Sequence, residues 1–366
     1  MKEEKKEVLY KVSIYDTLNL QVISPSMRVI NYSDKRIFLS DLMGQKIYQT
    51  DLSGKLLQEL SLTGDNPQQI GAHTYGVACL GDTAIAAIGT NGLYIYDLEG
   101  KLINHYPKKI SAIRGGSLAR RLRIKDIWID KTPYLICTWF SSLPNEEKSL
   151  ANSRIDIFRK LKFLSVFNLQ QQSYYVDLPF EKNSIFFKND NRYDDAVCFD
   201  YNYSNKMLYS IISPDKYVHI YQVTNKKFNL KKSILLNTEE FELRKISPFG
   251  TTYDQMQIYV NSEFRTLDIS EDGKYCMISY RTGIPVEEYQ RAKSNAEIPQ
   301  IHKNLNKRYV ILLENDEQKS APIQLPKNVK EVAYFKSPEY ILLAPNDFES
   351  PNYTSFYVAR LEKVQK

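Results

Sequence analysis

Histidine is scarce in this chain of 366 residues: His73, His105, His219 and His302 complete the set. None stands at a metal-ligand spacing such as HxxxH, so no local metal motif is present. Cysteine is equally thin. Cys79, Cys137, Cys198 and Cys276 stand 58, 61 and 78 residues apart, which excludes a CxxC redox pair and a zinc ribbon. Each sits in an apolar run, as in Leu135-Ile136-Cys137, and reads as a buried small hydrophobe. Glycine (14) and proline (15) are few, so Asn, Asp and Ser must supply many of the turns. No stretch approaches the ~18 apolar residues of a membrane span, and no secretory signal peptide is visible. There is no Gly-x-Ser-x-Gly nucleophile elbow. Gly115-Gly116 is an isolated pair without the strand–helix setting of a phosphate loop.

What is present is aromatic. The 27 tyrosines and 16 phenylalanines suit the half-buried surface of a pleated sheet, and 43% hydrophobic residues suffice for a core. The net charge of +6 is spread along most of the chain. Nucleic-acid binders concentrate their basic residues, so nucleic acid is not expected as a partner.

Short strand patterns follow one another from residue 8 onward: Arg28–Tyr32, Lys35–Asp41, Lys46–Asp51, Lys55–Leu62, Gly76–Leu80, Ala84–Ile88, Leu93–Asp97 and Lys101–Tyr106. Strands at this spacing indicate a sandwich, barrel or propeller. Repetition separates these. Asp51-Leu52-Ser53-Gly54-Lys55 recurs as Asp97-Leu98-Glu99-Gly100-Lys101, each between two strand patterns, at an offset of 46. Ile212-Ser213-Pro214-Asp215-Lys216 is echoed by Ile269-Ser270-Glu271-Asp272-Gly273-Lys274 about 57 residues later. Repeats of this length, holding about four strands each, predict an all-β propeller. Six units of about 61 residues fill the chain and the cysteine spacings fall near that period; seven shorter blades are the next choice. A single propeller domain is predicted over 9–362, after a flexible charged leader over 1–8. A helical insertion is predicted near 286–296, with Pro285 before it and Glu287 and Glu288 in its first turn.

The Ser213-Pro214-Asp215 and Ser270-Glu271-Asp272-Gly273-Lys274 turns resemble the Ser-Pro-Asp-Gly-Lys turn of TolB-like six-bladed propellers. The Asp-Leu-x-Gly-Lys-Leu units are similar to blades of propeller lipoproteins from Bacteroidetes-type bacteria. Two departures stand out: Glu271 replaces the proline, and Asp215 runs directly into Lys216 without a glycine. These turns determine fold and carry no catalytic residue. The resemblance implies a periplasmic or outer-membrane-anchored envelope protein, its charged leader being a spacer after a lipid-bearing cysteine. A cytoplasmic location is the alternative.

Chemistry is less legible. The carboxylate pairs Asp194-Asp195, Glu239-Glu240 and Glu287-Glu288 are sequence neighbours, and adjacent strand residues point to opposite faces, so none forms a glycosidase pair alone. The densest basic cluster holds Arg114, Arg120, Arg121 and Arg123, with Trp128 just downstream. Guanidinium forks beside an aromatic ring suit a carboxylate-bearing glycan or another anion. Tyr280-Arg281 is a second rim candidate. No catalytic residue, metal ligand or cofactor is assigned. The expected function is a non-enzymatic, monomeric binding propeller for a protein or glycan ligand. The alternative is a channel-mouth enzyme such as a metal-dependent lactonase or a polysaccharide lyase or hydrolase.

Overall fold

The structure is a computed structural model and describes residues 9–22, 27–33, 35–41, 46–64, 66–71, 74–81, 83–89, 92–107, 124–129, 132–137, 162–171, 173–188, 191–192, 196–224, 227–248, 254–346 and 354–364. Strand β1 (Tyr10–Leu20) comes first. Blade 1 then follows as β2 (Met27–Tyr32), β3 (Ile37–Asp41), β4 (Lys46–Thr50) and β5 (Leu56–Ser61). Blade 2 is β6 (Thr74–Leu80), β7 (Ala84–Gly89), β8 (Gly92–Asp97) and β9 (Leu102–Pro107). Blade 3 is β10 (Ile124–Ile129), β11 (Thr132–Cys137), β12 (Lys162–Asn168) and β13 (Ser173–Pro179).

The short β14 (Asn191–Arg192) precedes blade 4, which is β15 (Ala196–Asn202), β16 (Met207–Ser213), β17 (Tyr217–Thr224) and β18 (Lys227–Leu235). Beyond it β19 (Ser247–Pro248) pairs back with β14, and helix α1 (Met256–Val260) leads on. Blade 5 contains β20 (Glu263–Ile269) and β21 (Tyr275–Arg281). After helices α2 (Val286–Gln290) and α3 (Ile298–Leu305) come β22 (Arg308–Glu314), β23 (Glu317–Gln318) and β24 (Ile323–Gln324), the last two both pairing with β22. Blade 6 is β25 (Val329–Ser337), β26 (Tyr340–Pro345) and β27 (Thr354–Lys363), and its outer place is taken by β1. The six antiparallel blades form a ring, a six-bladed propeller; the sandwich and the seven-bladed ring are excluded.

The ring is held by wedges of apolar side chains between blades. Successive residues of a strand face opposite sides, so each blade supplies two cores. In blade 2, Ile85 and Ala87 pack with Ile47 and Leu60 of blade 1, while Ala86 and Ile88 pack with Leu135 and Phe167 of blade 3. Further round, Phe163 and Phe199, Ile211 and Phe264, Val310 and Val332, and Leu342 and Leu39 share the four remaining wedges. This is why the second and third strands read as nearly unbroken apolar runs: both of their faces are buried.

The 46-residue repeat is a true blade repeat. Its two turns join β4 to β5 and β8 to β9, the same position in successive blades. Asp51 Oδ1 accepts from the Ser53 hydroxyl at 2.6 Å and from the Ser53 and Lys55 backbone N–H groups at 2.9 Å. That hydroxyl bond, with the Lys55 N–H next in weight, holds the carboxyl below its ordinary range. The second likeness is not a blade step. Ser213–Lys216 joins β16 to β17, whereas Ser270–Lys274 joins β20 to β21. The cysteine period fails for the same reason: Cys79 and Cys198 lie on first strands, Cys137 and Cys276 on second strands, all four buried.

The helix predicted over 286–296 is shorter, α2 ending at Gln290, and a second helix, α3, follows beyond the predicted span at Ile298. Pro299 fits in the first turn of α3, because the N–H groups of a first helical turn have no partner within the helix and proline gives up nothing there.

Gly54 and Gly81 offer a controlled test of what closes the ring. Both have positive φ, +89° and +52°. A Cβ on Gly54 would lie 2.0 Å from the Asn19 carbonyl oxygen of β1; one on Gly81 meets nothing within 4 Å. Gly81→Ala should cost only the backbone penalty, about 1 kcal/mol. Gly54→Ala should cost roughly 2–4 kcal/mol, because it also pushes β1 out of place. Urea unfolding of the two variants measures the gap, and equal losses would show that the turn does not brace β1.

Candidate functional site

The first strand of each blade, β2, β6, β10, β15, β20 and β25, is innermost, and all six wall one cavity of about 690 Å³ on the ring axis. Consecutive antiparallel strands put the turn after each first strand on the same face of the ring. One mouth is therefore built from the ends of the six inner strands, and the other from their beginnings.

At the end-of-strand mouth the wall is aromatic and acidic. Tyr201 and Tyr203, at the end of β15, stand edge to face with centroids 5.2 Å apart. The Tyr203 hydroxyl donates to Asp126 Oδ1 at 2.6 Å and to the Asp126 carbonyl at 2.9 Å. Burial, then the Asp126 charge, pushes that phenol well above its ordinary range, and burial alone raises Tyr201 to about 12. Between these inner strands Lys125 Nζ meets Asp200 Oδ1 at 2.9 Å, with Lys125 lying 5.6 Å over the Tyr203 ring. Burial disfavours the Lys125 charge, but Asp200, Asp126 and Asp268 together outweigh it and the ammonium pKa is raised. Asp200 also accepts from the Tyr201 and Ile269 N–H groups, both at 2.9 Å. Across the ring, Tyr32 and Tyr334 stack with centroids 4.9 Å apart, and the Tyr334 hydroxyl donates to Glu271 at 3.1 Å.

The other mouth is a relay of charge. Arg265 bridges Glu331 of β25 at 3.6 Å and Glu263 at 3.3 Å, and Glu263 also takes Arg281 Nη2 at 3.0 Å and Nε at 3.1 Å. Burial alone would raise the Glu331 carboxyl, but Arg265, Lys330 and Arg28 together hold it below its ordinary range. Arg281 reaches back to His302 Nε2 at 2.9 Å and to the Ile258 carbonyl. Because Arg281 and the Asn306 amide both donate to Nε2, the neutral ring carries its proton on Nδ1.

Of the residues singled out from sequence, Trp128 stands in the cavity wall at 52% exposure. Tyr280 is buried between blades 4 and 5, its hydroxyl donating to the Glu239 carbonyl at 3.0 Å. Arg281 lies behind Glu263 and outside the cavity lining. Neither forms a rim; their register on the second strand of blade 5 sends them into the inter-blade core and the charge relay. Arg114, Arg120, Arg121 and Arg123 lie outside the described residues. Sequence reading missed Asp126, Asp200, Tyr203 and Glu271 as a group. The signal was there in Asp200-Tyr201-Asn202-Tyr203, a polar–aromatic end to an otherwise apolar strand. Among the described residues no three His, Cys, Asp or Glu side chains are grouped to hold a metal ion, and no described helix is long and apolar enough to cross a membrane.

A buried histidine, His219, and a half-buried one, His302, set an acid limit on this assembly. Burial, then Arg281, Arg308 and Arg265, pushes His302 down to about 3, and burial pushes His219 down to about 4. An unfolded chain takes up both protons below about pH 6.5, which the folded chain resists. Stability is thus complete at neutral pH and falls as the pH drops through 6.5, by on the order of 2 kcal/mol for each histidine at about pH 4. Urea melts across this window should show the loss, and the double variant His219→Gln, His302→Gln should flatten it. An unchanged slope would place the acid sensitivity elsewhere.

No family model matches the chain, and no curated protein matches it. Its fold is shared with solved structures. A member of the duf4221 family from Bacteroides vulgatus superposes with a TM-score of 0.69 at 12% identity, over 98% of this chain and 100% of that one. A Bacteroides fragilis protein whose name assigns it to the exported class gives a TM-score of 0.55 at 10% identity, over 99% and 98%. At such identities the likeness is one of fold: this chain is similar to these proteins as a six-bladed propeller.

Proposed function

We propose that this chain is a non-enzymatic binding propeller of the bacterial cell envelope that receives its ligand in the axial cavity. The observation that carries the reading is the convergence of all six inner strands on one cavity of about 690 Å³, the size of a small-ligand site. Its acidic groups are engaged in ways that suit recognition. Asp200 is held by an ammonium and two N–H groups, Asp126 by a phenol, and Glu271 by a phenol with Lys336 at 3.4 Å. A general base needs a carboxylate ready to take a substrate proton; each of these already accepts hydrogen bonds or an ion pair that favour its charged form. The envelope location draws support from the exported class of the Bacteroides fragilis neighbour and from the resemblance of the turns to envelope propellers. On that reading a lipid anchor upstream holds the protein at the membrane.

A ligand that binds only the folded state raises its unfolding temperature by mass action. The protein should be screened by thermal shift against saccharides, peptides and small anions, with each hit followed by mass spectrometry of the incubated ligand. The expected result is stabilisation with the ligand recovered intact. A hit converted to product by the wild type would overturn the non-enzymatic reading in favour of a channel-mouth enzyme.

A further inference from the structure

We infer that the end-of-strand mouth of the cavity is a subsite for a neutral saccharide, with Trp128 as its stacking platform and Asp126 as its hydroxyl acceptor. This deepens the binding role proposed above and rests on it. Trp128 and Asp126 stand two apart on β10, a strand of regular pairing from Ile124 to Ile129, so their side chains leave the same side of the strand. Both line the cavity. In a chain that buries most of its large apolar side chains, Trp128 is 52% exposed and Tyr203 is 48% exposed. Tyr203 is fixed edge-on by Tyr201 and tied through its hydroxyl to Asp126, so ring and carboxylate are oriented before any ligand arrives. An aromatic face beside a fixed carboxylate matches a sugar, whose C–H face packs on a ring while its equatorial hydroxyls donate outward.

Charge selects which sugar. The protein is basic overall, yet the cavity lining holds the acids Asp126, Asp200, Asp268, Glu271 and Glu331 against the cations Arg28, Lys125 and Arg265. Arg28, Arg265 and Glu331 belong to the opposite mouth, near the beginnings of their strands. A uronic-acid chain entering beside Trp128 would meet the carboxylates of Asp126, Asp200, Asp268 and Glu271 against the ammoniums of Lys125 and Lys336. A neutral sugar meets hydrogen-bond acceptors.

Trp128 and Trp139 are the two tryptophans, so Trp139→Phe leaves Trp128 as sole reporter. In that background, neutral gluco- and manno-oligosaccharides should shift the indole emission saturably, and oligogalacturonate should not. Trp128→Ala, followed by calorimetry, should weaken neutral-sugar binding at least tenfold, Asp126→Asn by several-fold, and Tyr203→Phe less than either. If Trp128→Ala does not fold, Trp128→Phe serves, with a loss of a few-fold. Neutral saccharides that bind Trp128→Ala as tightly as wild type would sink the subsite and leave the binding role standing. Tighter, Trp128-dependent binding of oligogalacturonate would also sink it. So would the absence of any response to the neutral sugars at millimolar concentration, the binding role then being judged by peptides and anions alone.

Discussion

Ring closure by β1 is the interaction on which the rest of the molecule depends. The first strand of the chain pairs with the last, from Tyr10 against Lys363 to Leu20 against Thr354, and so completes blade 6 from both ends of the sequence. Without it β27 would present an open edge, and the wedge that joins blade 6 to blade 1 would lose Leu20. The ladder runs through one irregularity between Ile14 and Asp16, where Tyr15 is left half exposed beneath the Arg360 guanidinium. The Gln21 N–H donates to the Gly54 carbonyl at 2.9 Å, so the closing strand is also pinned to the outer turn of blade 1.

Closure fixes the cavity. No blade can hide both of its apolar faces alone, and six wedges bury them only when the circle is complete. The inner strands are then held at a common radius, each with one edge left without a strand partner. What lines that edge is a matter of strand ends. Tyrosines and carboxylates gather where the inner strands finish, and arginines with glutamates where they begin. The resulting contrast between two mouths, one aromatic and acidic, the other a relay of ion pairs, is the main chemical feature of the protein.

The blades themselves were legible. Asp51 to Lys55 and Asp97 to Lys101 show, with no coordinates, two turns of one kind a blade apart, because an Asp carboxylate and a positive-φ glycine leave a local mark. The later blades were harder. Long insertions such as α2 and α3 stretch blade 5, and a turn of the same type recurs at a different position in the blade, so Ser213–Lys216 and Ser270–Lys274 imitate a period that is not one. Trp128 could be named from its sequence surroundings; Tyr203, which reaches Asp126 on the same strand, could not, lying 75 positions from Trp128 on another blade.

By itself, the sequence determined the strands of the first two blades to within a residue or two, their outer turns, the burial of the four cysteines and the all-β class, since each of these follows from residues a few positions apart. Tertiary structure alone decided which strand of each blade is innermost, which residues meet at a mouth, and that the N-terminal strand completes the last blade. The physical reason is distance along the chain: those choices are made by contacts between blades, where alternation within a strand gives the facing side but not the neighbour.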